Sequence, residues 1–171
     1  ATVEEFYPGG FGAGNLATTE LTNATITVTS SGNALPAPVV LGTNGRIAPH
    51  TIIDDDSTGD ANTTPTFDPA NDGLDFYESV EAMLVQVNEA QVVGGTAFGE
   101  IVVVSDLGVN ATGLTARGGL VISATDFNPE RIMIDDALVF DEPDANVGDT
   151  FTAPIVGVME YSFGNFKILN F

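Results

Sequence analysis

Short runs of β-branched and aliphatic residues recur along this chain of 171 residues, with glycine, asparagine and aspartate clustered between them. Some runs alternate apolar and polar residues, as half-buried strands do, and others are apolar throughout, as buried strands are. The predicted strands cover residues 25–29, 83–87, 101–104, 119–123 and 131–134, with more within residues 151–169. Helical character is confined to one turn at residues 76–80. The sequence therefore predicts an all-β fold.

The chain divides into three parts of unequal length. Residues 1–31 hold a glycine-rich loop and one strand, residues 32–75 hold a proline-containing linker and an acidic loop, and residues 76–171 hold most of the predicted strands. A lone amphipathic strand cannot bury its apolar side by itself. We therefore expect the strand within residues 20–30 to find main-chain partners partly outside the chain's own barrel. The candidate partners are the strand-rich part of the chain itself, a neighbouring domain of a longer precursor, and another copy of the chain, which would give self-association.

The charge balance excludes some partners. Twenty-four acidic residues face four basic ones, for a formal net charge of −20. Nucleic-acid binding is not expected, because it depends on lysine and arginine at the phosphates. Self-repulsion on this scale destabilises the compact state unless it is screened. Bound calcium, abundant outside cells, would screen it; a salt-adapted or solubility-tuned surface is the alternative.

Enzyme chemistry has few candidate residues. The chain has no cysteine, which removes thiol catalysis and zinc–thiolate sites, and His50 is its only histidine. A Ser-His-Asp triad or a multi-histidine metal site is therefore not expected. No apolar run approaches the roughly 20 residues that span a bilayer, so no membrane partner is expected. The sequence predicts a protein that is not an enzyme.

Aspartates are densest between residues 54 and 75, and there we predict a calcium site. Calcium takes six to eight oxygen ligands, which a loop of carboxylates and carbonyls supplies. The spacing differs from that of an EF-hand loop. The predicted metal ligands are Asp54, Asp55, Asp56, Asp60, Asp68, Asp72 and Asp75. The alternative is a solvated loop in which aspartates cap nearby backbone amides.

A second acidic group follows the predicted strand at residues 131–134. It consists of Asp135, Asp136, Asp141, Glu142 and Asp144. Paired carboxylates can serve in acid–base catalysis. Nothing in the sequence supplies a nucleophile or a pocket beside them, so an ion site or plain solvation is the favoured interpretation.

Several phrases resemble a known family in order along the chain. They include Phe76-Tyr77-Glu78-Ser79-Val80, Gly99-Glu100-Ile101-Val102-Val103 and Phe127-Asn128-Pro129-Glu130-Arg131. In this order they resemble the OB-like region of large secreted bacterial nucleases, upstream of an endonuclease/exonuclease/phosphatase-type domain. The resemblance implies secretion, an OB-fold-like Greek-key barrel with an additional N-terminal strand segment, and an accessory role. The hydrolytic motifs of that family match no position here.

Two functions of different class follow from these observations. The first is a non-catalytic extracellular structural module, calcium-stabilised and assembled head to tail into a fibre or tandem array. Its basis is the unpaired leading strand, which could complete a neighbour's sheet. The alternative is an accessory domain of a secreted nuclease that positions substrate or the enzyme domain.

Overall fold

Nine strands and one short helix form the secondary structure of the computed structural model, which describes residues 1–63, 66–139 and 143–171. The strands are β1 (Thr2–Phe6), β2 (Thr18–Thr22), β3 (Val39–Leu41), β4 (Leu84–Val87), β5 (Gln91–Val92), β6 (Ile101–Val104), β7 (Ile132–Asp135), β8 (Ile155–Ser162) and β9 (Asn165–Asn170). The helix is α1 (Gly73–Glu78), and two 3-10 turns cover Ala61–Thr63 and Asp106–Gly108. The predicted all-β class is confirmed. Among the described residues, no helix is long and apolar enough to cross a bilayer.

Seven of the strands form one sheet, in the order β3-β4-β8-β9-β7-β6-β5. The parallel neighbours are β3 with β4 and β7 with β9, and the other pairs are antiparallel. The long strand β8 pairs with β4 through its first half and with β9 from Gly157 onward. Within the described ranges no ladder joins β3 to β5, so strand pairing does not close the sheet. The OB-like barrel stays a prediction.

The hydrophobic core is built from alternate residues of the central strands. These strands bury every second side chain, as the period of two in their sequences requires. The fully or almost fully buried members include Val85, Val87, Ile101, Val103, Ile134, Met159 and Ile168. Helix α1 adds Phe76 and Tyr77, and the Tyr77 ring stacks on Phe166 with centroids 5.3 Å apart. The helix is thereby fixed against the sheet.

Strands β1 and β2 form a separate antiparallel hairpin. Their register places Glu4 opposite Glu20, and like charges directly opposite one another destabilise a strand pair. A two-stranded hairpin is marginally stable in water by itself. Contacts beyond β1 attach it to the rest of the fold: the buried Leu16 donates its N–H to the Tyr161 hydroxyl at 3.2 Å, and the Asn62 side chain accepts the N–H of Ala17 at 2.8 Å.

Residues 23–38 connect the hairpin to β3 without forming a helix or strand. The strand predicted at residues 25–29 is therefore wrong for this chain on its own. Ile26 and Val28 are 84% and 78% exposed, and no strand among the described residues pairs with this segment. The alternating pattern gives these residues the propensity for a strand, but a strand also needs a partner for its N–H and C=O groups.

Some of the other strand predictions are confirmed and some are wrong. Those at residues 83–87, 101–104 and 131–134 are confirmed as β4, β6 and β7, and the helical turn is confirmed within α1. Residues 119–123 form only isolated bridges, with Leu120 opposite Leu114 and Ser123 opposite Asp126, so that prediction is wrong. Strand β3 lies in the segment assigned to a linker, where its three residues pair with β4.

Gly157 permits the close pairing of β8 with β9. A Cβ at this position would lie 2.3 Å from the carbonyl oxygen of Leu169, which is backbone and cannot move aside alone. We expect Gly157→Ala to lower the free energy of unfolding by about 1–3 kcal/mol, as overpacking does. Gly95→Ala is the matched control, because nothing lies within 4 Å of a Cβ there. Equal urea midpoints for the two variants would contradict this.

Candidate metal centre

Three of the seven predicted ligands come together. One carboxylate oxygen from each of Asp54, Asp56 and Asp72 lies within 4.8 Å of the other two. Two oxygens that each bind calcium at about 2.4 Å are at most about 4.8 Å apart. The spacing of the three oxygens therefore matches one shared cation.

Backbone hydrogen bonds bring the two halves of this triad together. The Ile52 carbonyl accepts the N–H of Gly73 at 3.1 Å, and the Ile53 carbonyl accepts the N–H of Leu74 at 3.0 Å. Gly73 is packed so closely against Pro129 that a Cβ would lie 2.4 Å from the proline Cβ. These contacts hold the start of α1, and Asp72 just before it, beside the 52–57 loop.

The loop itself turns on Asp54. Its Oδ1 accepts the backbone N–H groups of Asp56 at 3.1 Å and Ser57 at 2.9 Å. Such an aspartate-centred turn reverses the chain within three residues. The turn leaves Asp55 exposed, while Asp54 and Asp56 are half-buried. Of the three neighbouring aspartates predicted as ligands, Asp54 and Asp56 lie close to Asp72 and Asp55 does not, and their role as ligands stays a prediction.

Two oxygens of the triad are buried without a partner. Asp72 is 2% exposed, and neither its Oδ1 nor Asp56 Oδ1 has a hydrogen-bond partner among the described residues. Asp72 occupies the N-cap position of α1, but its side chain makes no capping hydrogen bond. A buried carboxylate oxygen left unpaired is costly. A cation bound by the triad would compensate the negative charge of both carboxylates.

The raised pKa of Asp72 also favours a cation at the triad. Burial raises the pKa of Asp72 to about 6, and the nearby carboxylates of Asp55 and Asp54 add to the rise. Near neutral pH the group is therefore mostly ionised but held at a cost. A divalent cation would favour the ionised form and lower this pKa.

The remaining predicted ligands make local hydrogen bonds instead. Asp75 accepts the N–H of Asp68, Asp68 accepts the N–H of Ala70 and the side-chain amide of Asn71, and Asp60 accepts both the N–H and the side-chain amide of Asn62. For these three residues the capping alternative describes the geometry. They shape the loop around the triad and lie outside its three-oxygen group.

Another carboxylate group lies between the hairpin and the main domain. Burial raises the pKa of Glu78 to about 7, with Glu81, Asp75 and Glu5 adding repulsion. Burial also raises the pKa of Glu81, again with a contribution from Glu5. Because Glu5 belongs to β1, the hairpin and the end of α1 repel one another when these groups are ionised.

In the second acidic group, Asp135 has a cationic partner that sequence reasoning missed. Its Oδ2 accepts a hydrogen bond from the buried Lys167 ammonium at 2.9 Å, and Glu100 contacts the same nitrogen. Asp144 is exposed, and Asp141 and Glu142 lie outside the described residues. The available signal was that the only lysine of the chain lies between the apolar residues Phe166 and Ile168.

The comparison with protein-family models gives one match. The model described as a domain of unknown function, DUF8508, matches residues 40–170. The chain belongs to the DUF8508 family. No curated protein matches this chain, and no solved structure does.

The DUF8508 match covers the main sheet and leaves out the N-terminal part of the chain. It includes the acidic triad and the whole seven-stranded sheet except Val39 at the start of β3. The hairpin and the exposed segment at residues 23–38 precede the match. The candidate metal centre therefore lies within the part of this chain that matches DUF8508.

Proposed function

We propose that this chain is a non-catalytic, extracellular structural module that binds calcium through Asp54, Asp56 and Asp72 and assembles head to tail. The single observation that carries the assembly is the exposed segment at residues 23–38. The proposed partner is a second copy of the chain, whose sheet receives this segment as an added strand. The DUF8508 domain would then be the repeating unit of a fibre or tandem array.

The exposed segment has the pattern of a donor strand. Ala24, Ile26 and Val28 alternate with threonines, so that one side of an extended chain is apolar. Residues 24–29 are exposed and uncharged, and with no lysine or proline among them they invite pairing with another chain. At about 3.3 Å per residue, the 16 residues of segment 23–38 reach roughly 50 Å, enough to extend to a neighbouring domain.

The calcium site supports an extracellular setting. Sites built on few carboxylates in exposed loops bind calcium in the range found outside cells. With a net charge of −20, neighbouring copies repel one another, and bound divalent cations lower that repulsion. Calcium binding and assembly are expected to favour each other for this reason.

A proline in the donor segment tests the assembly. Val28→Pro removes one backbone N–H and fixes φ near −65°, which blocks strand pairing. Because no described residue pairs with Val28, the variant should fold like the wild type and have the same melting temperature. We expect the wild type with calcium to form filaments by electron microscopy and large species by light scattering, and Val28→Pro to stay monomeric.

Ala34→Pro is the matched control. It adds a proline to the same exposed segment, beside Pro36 and outside the alternating stretch, and should assemble like the wild type. Assembly of Val28→Pro at the wild-type concentration would contradict the donor-strand role. A wild-type protein that stays monomeric at high concentration with calcium would contradict self-assembly.

A second candidate function is the accessory domain of a secreted nuclease. Its basis is the ordered series of phrases that resembles secreted nucleases, most of which lie within residues 40–170. In that case residues 23–38 would pair with a neighbouring domain of the same longer chain. A monomeric wild type, together with strand pairing of residues 24–29 in a longer native chain, would favour this function.

A further inference from the structure

The only lysine of the chain is buried between two carboxylates. Lys167, on β9, is 2% exposed. Its Nζ donates to Asp135 Oδ2 at 2.9 Å, and Glu100 Oε1 contacts the same nitrogen. Asp135 lies on β7, the neighbour of β9, and Glu100 directly precedes β6, the neighbour of β7. The amine of β9, the carboxyl group of β7 and the carboxyl group of the residue before β6 therefore meet at one point.

From this geometry we propose that Lys167 and Asp135 condense spontaneously to an amide bond that crosslinks β9 to β7, with Glu100 as the proton carrier. The reaction joins Nζ to the Asp135 Cγ and breaks the bond from Cγ to Oδ2. An ammonium and a carboxylate become one amide and one water, so that no oxidant, cofactor or other reactant is needed. Fixed neighbours of this kind react as though at very high concentration.

Glu100 is placed to carry the proton in both directions. It contacts Nζ, from which it takes a proton, so that the free amine can attack Cγ. After the attack it returns this proton to Oδ2 and then passes on a second proton from the same nitrogen, so that Oδ2 carries two hydrogens and leaves as water. Both carboxylates hold the lysine in its charged form and raise its pKa, whereas burial favours the neutral amine. This initial proton transfer is therefore the step that needs Glu100.

The Asp135 carboxyl, rather than that of Glu100, is positioned as the acyl group. Its other oxygen, Oδ1, accepts the backbone N–H of Ala137 at 2.9 Å. Attack on Cγ places negative charge on Oδ1, and a backbone N–H already directed at that atom stabilises it. The Phe163 ring centroid lies 5.2 Å from Nζ and covers the lysine on one side.

Intact-mass measurement of the purified wild type tests the proposal directly. We expect a mass lower than that of the sequence by one water, and a peptide map in which the segments around Lys167 and Asp135 are joined. The map is needed because the Asp72-Gly73 sequence can also lose water, through a cyclic imide. After full denaturation, an amine-acetylating reagent should leave Lys167 unmodified.

Two variants separate the chemistry from the fold. Glu100→Gln keeps the shape of the side chain but cannot carry the proton, so we expect the full sequence mass and an acetylatable Lys167. Glu160→Gln is the matched control, because Glu160 lies opposite Lys167 in the β8–β9 register but hydrogen-bonds Ser162. It should keep the crosslink.

Wild-type protein with the full sequence mass would overturn the proposal, whatever the variants do. A crosslink from Lys167 to Glu100 would overturn the assigned roles. A crosslink that persists in Glu100→Gln would overturn the part given to Glu100. None of these results depends on calcium or assembly, so they leave the proposed function untouched.

Discussion

Calcium should raise the melting temperature of the metal-depleted protein by roughly 5–10 °C. A ligand that binds only the folded state adds about 2.7 kcal/mol at a hundredfold excess over its dissociation constant. For a domain of this size, one kcal/mol corresponds to roughly 2–4 °C. The stabilisation comes from pairing the buried oxygens of Asp56 and Asp72, which have no hydrogen-bond partner among the described residues. Calorimetry with and without added calcium measures it.

The Asp72→Ser variant is expected to be more stable than the wild type without calcium and less stable with it. Without calcium, this variant should melt higher than the wild type near neutral pH, because it removes a buried charge that nearby carboxylates repel. Serine also suits the N-cap position that residue 72 occupies. With calcium, the order should reverse, since the variant has lost one of three ligands. A solvated loop without a metal site predicts no such reversal.

Asp60→Asn is the control for charge alone. Asp60 lies in the same acidic loop but hydrogen-bonds Asn62 and is not part of the triad. The Asp60→Asn variant removes the same formal charge as Asp72→Ser and should keep the full calcium response. An identical calcium response in Asp72→Ser and Asp60→Asn would contradict the assignment of the triad.

The sequence predicted strands correctly where a partner strand was available and wrongly where none was. The run Ile101–Val104 was predicted with its observed bounds, because four consecutive β-branched residues between turn residues have no other compact solution. Residues 25–29 carry an equally good strand pattern and stay unpaired. β-propensity describes a side chain that suits a pleated, half-buried surface, and it does not specify which edge is available.

The candidate site could be located from the sequence but not resolved into ligands. Seven aspartates were predicted, and three share one point. Asp54 and Asp60 both accept the backbone N–H of the residue two positions later, yet only Asp54 joins the triad, and the sequence pattern does not distinguish the two. The partner of Asp135 was missed because Lys167 is 32 residues away in sequence, and a parallel ladder brings the two strands together.

Without calcium, the protein should lose stability as the pH rises from about 4 to about 7.5, the reverse of the usual behaviour of folded carboxylates. Burial raises the pKa of Asp72 from 3.8 to about 6 and that of Glu78 from 4.5 to about 7. The folded state therefore binds these protons more tightly than the unfolded state does. The stabilisation is fully present below the unfolded values and is lost as the pH rises through the folded ones.

Both groups contribute, because burial raises the pKa of each. For Asp72, which is 2% exposed, a shift of about two pH units at about 1.4 kcal/mol per unit gives roughly 3 kcal/mol. Urea unfolding of metal-depleted protein at both ends of the range measures it. Asp72→Ser should remove the share of the loss that comes from Asp72, while Asp144→Asn, which changes an exposed carboxylate, should leave the loss in place. Saturating calcium should remove the same share in the wild type, since the cation and the proton compete for the carboxylate of Asp72, and should leave the share of Glu78. An Asp72→Ser variant that loses as much stability over this range as the metal-depleted wild type would show that Asp72 is not held ionised at a cost, and the electrostatic support for a cation at the triad would fail.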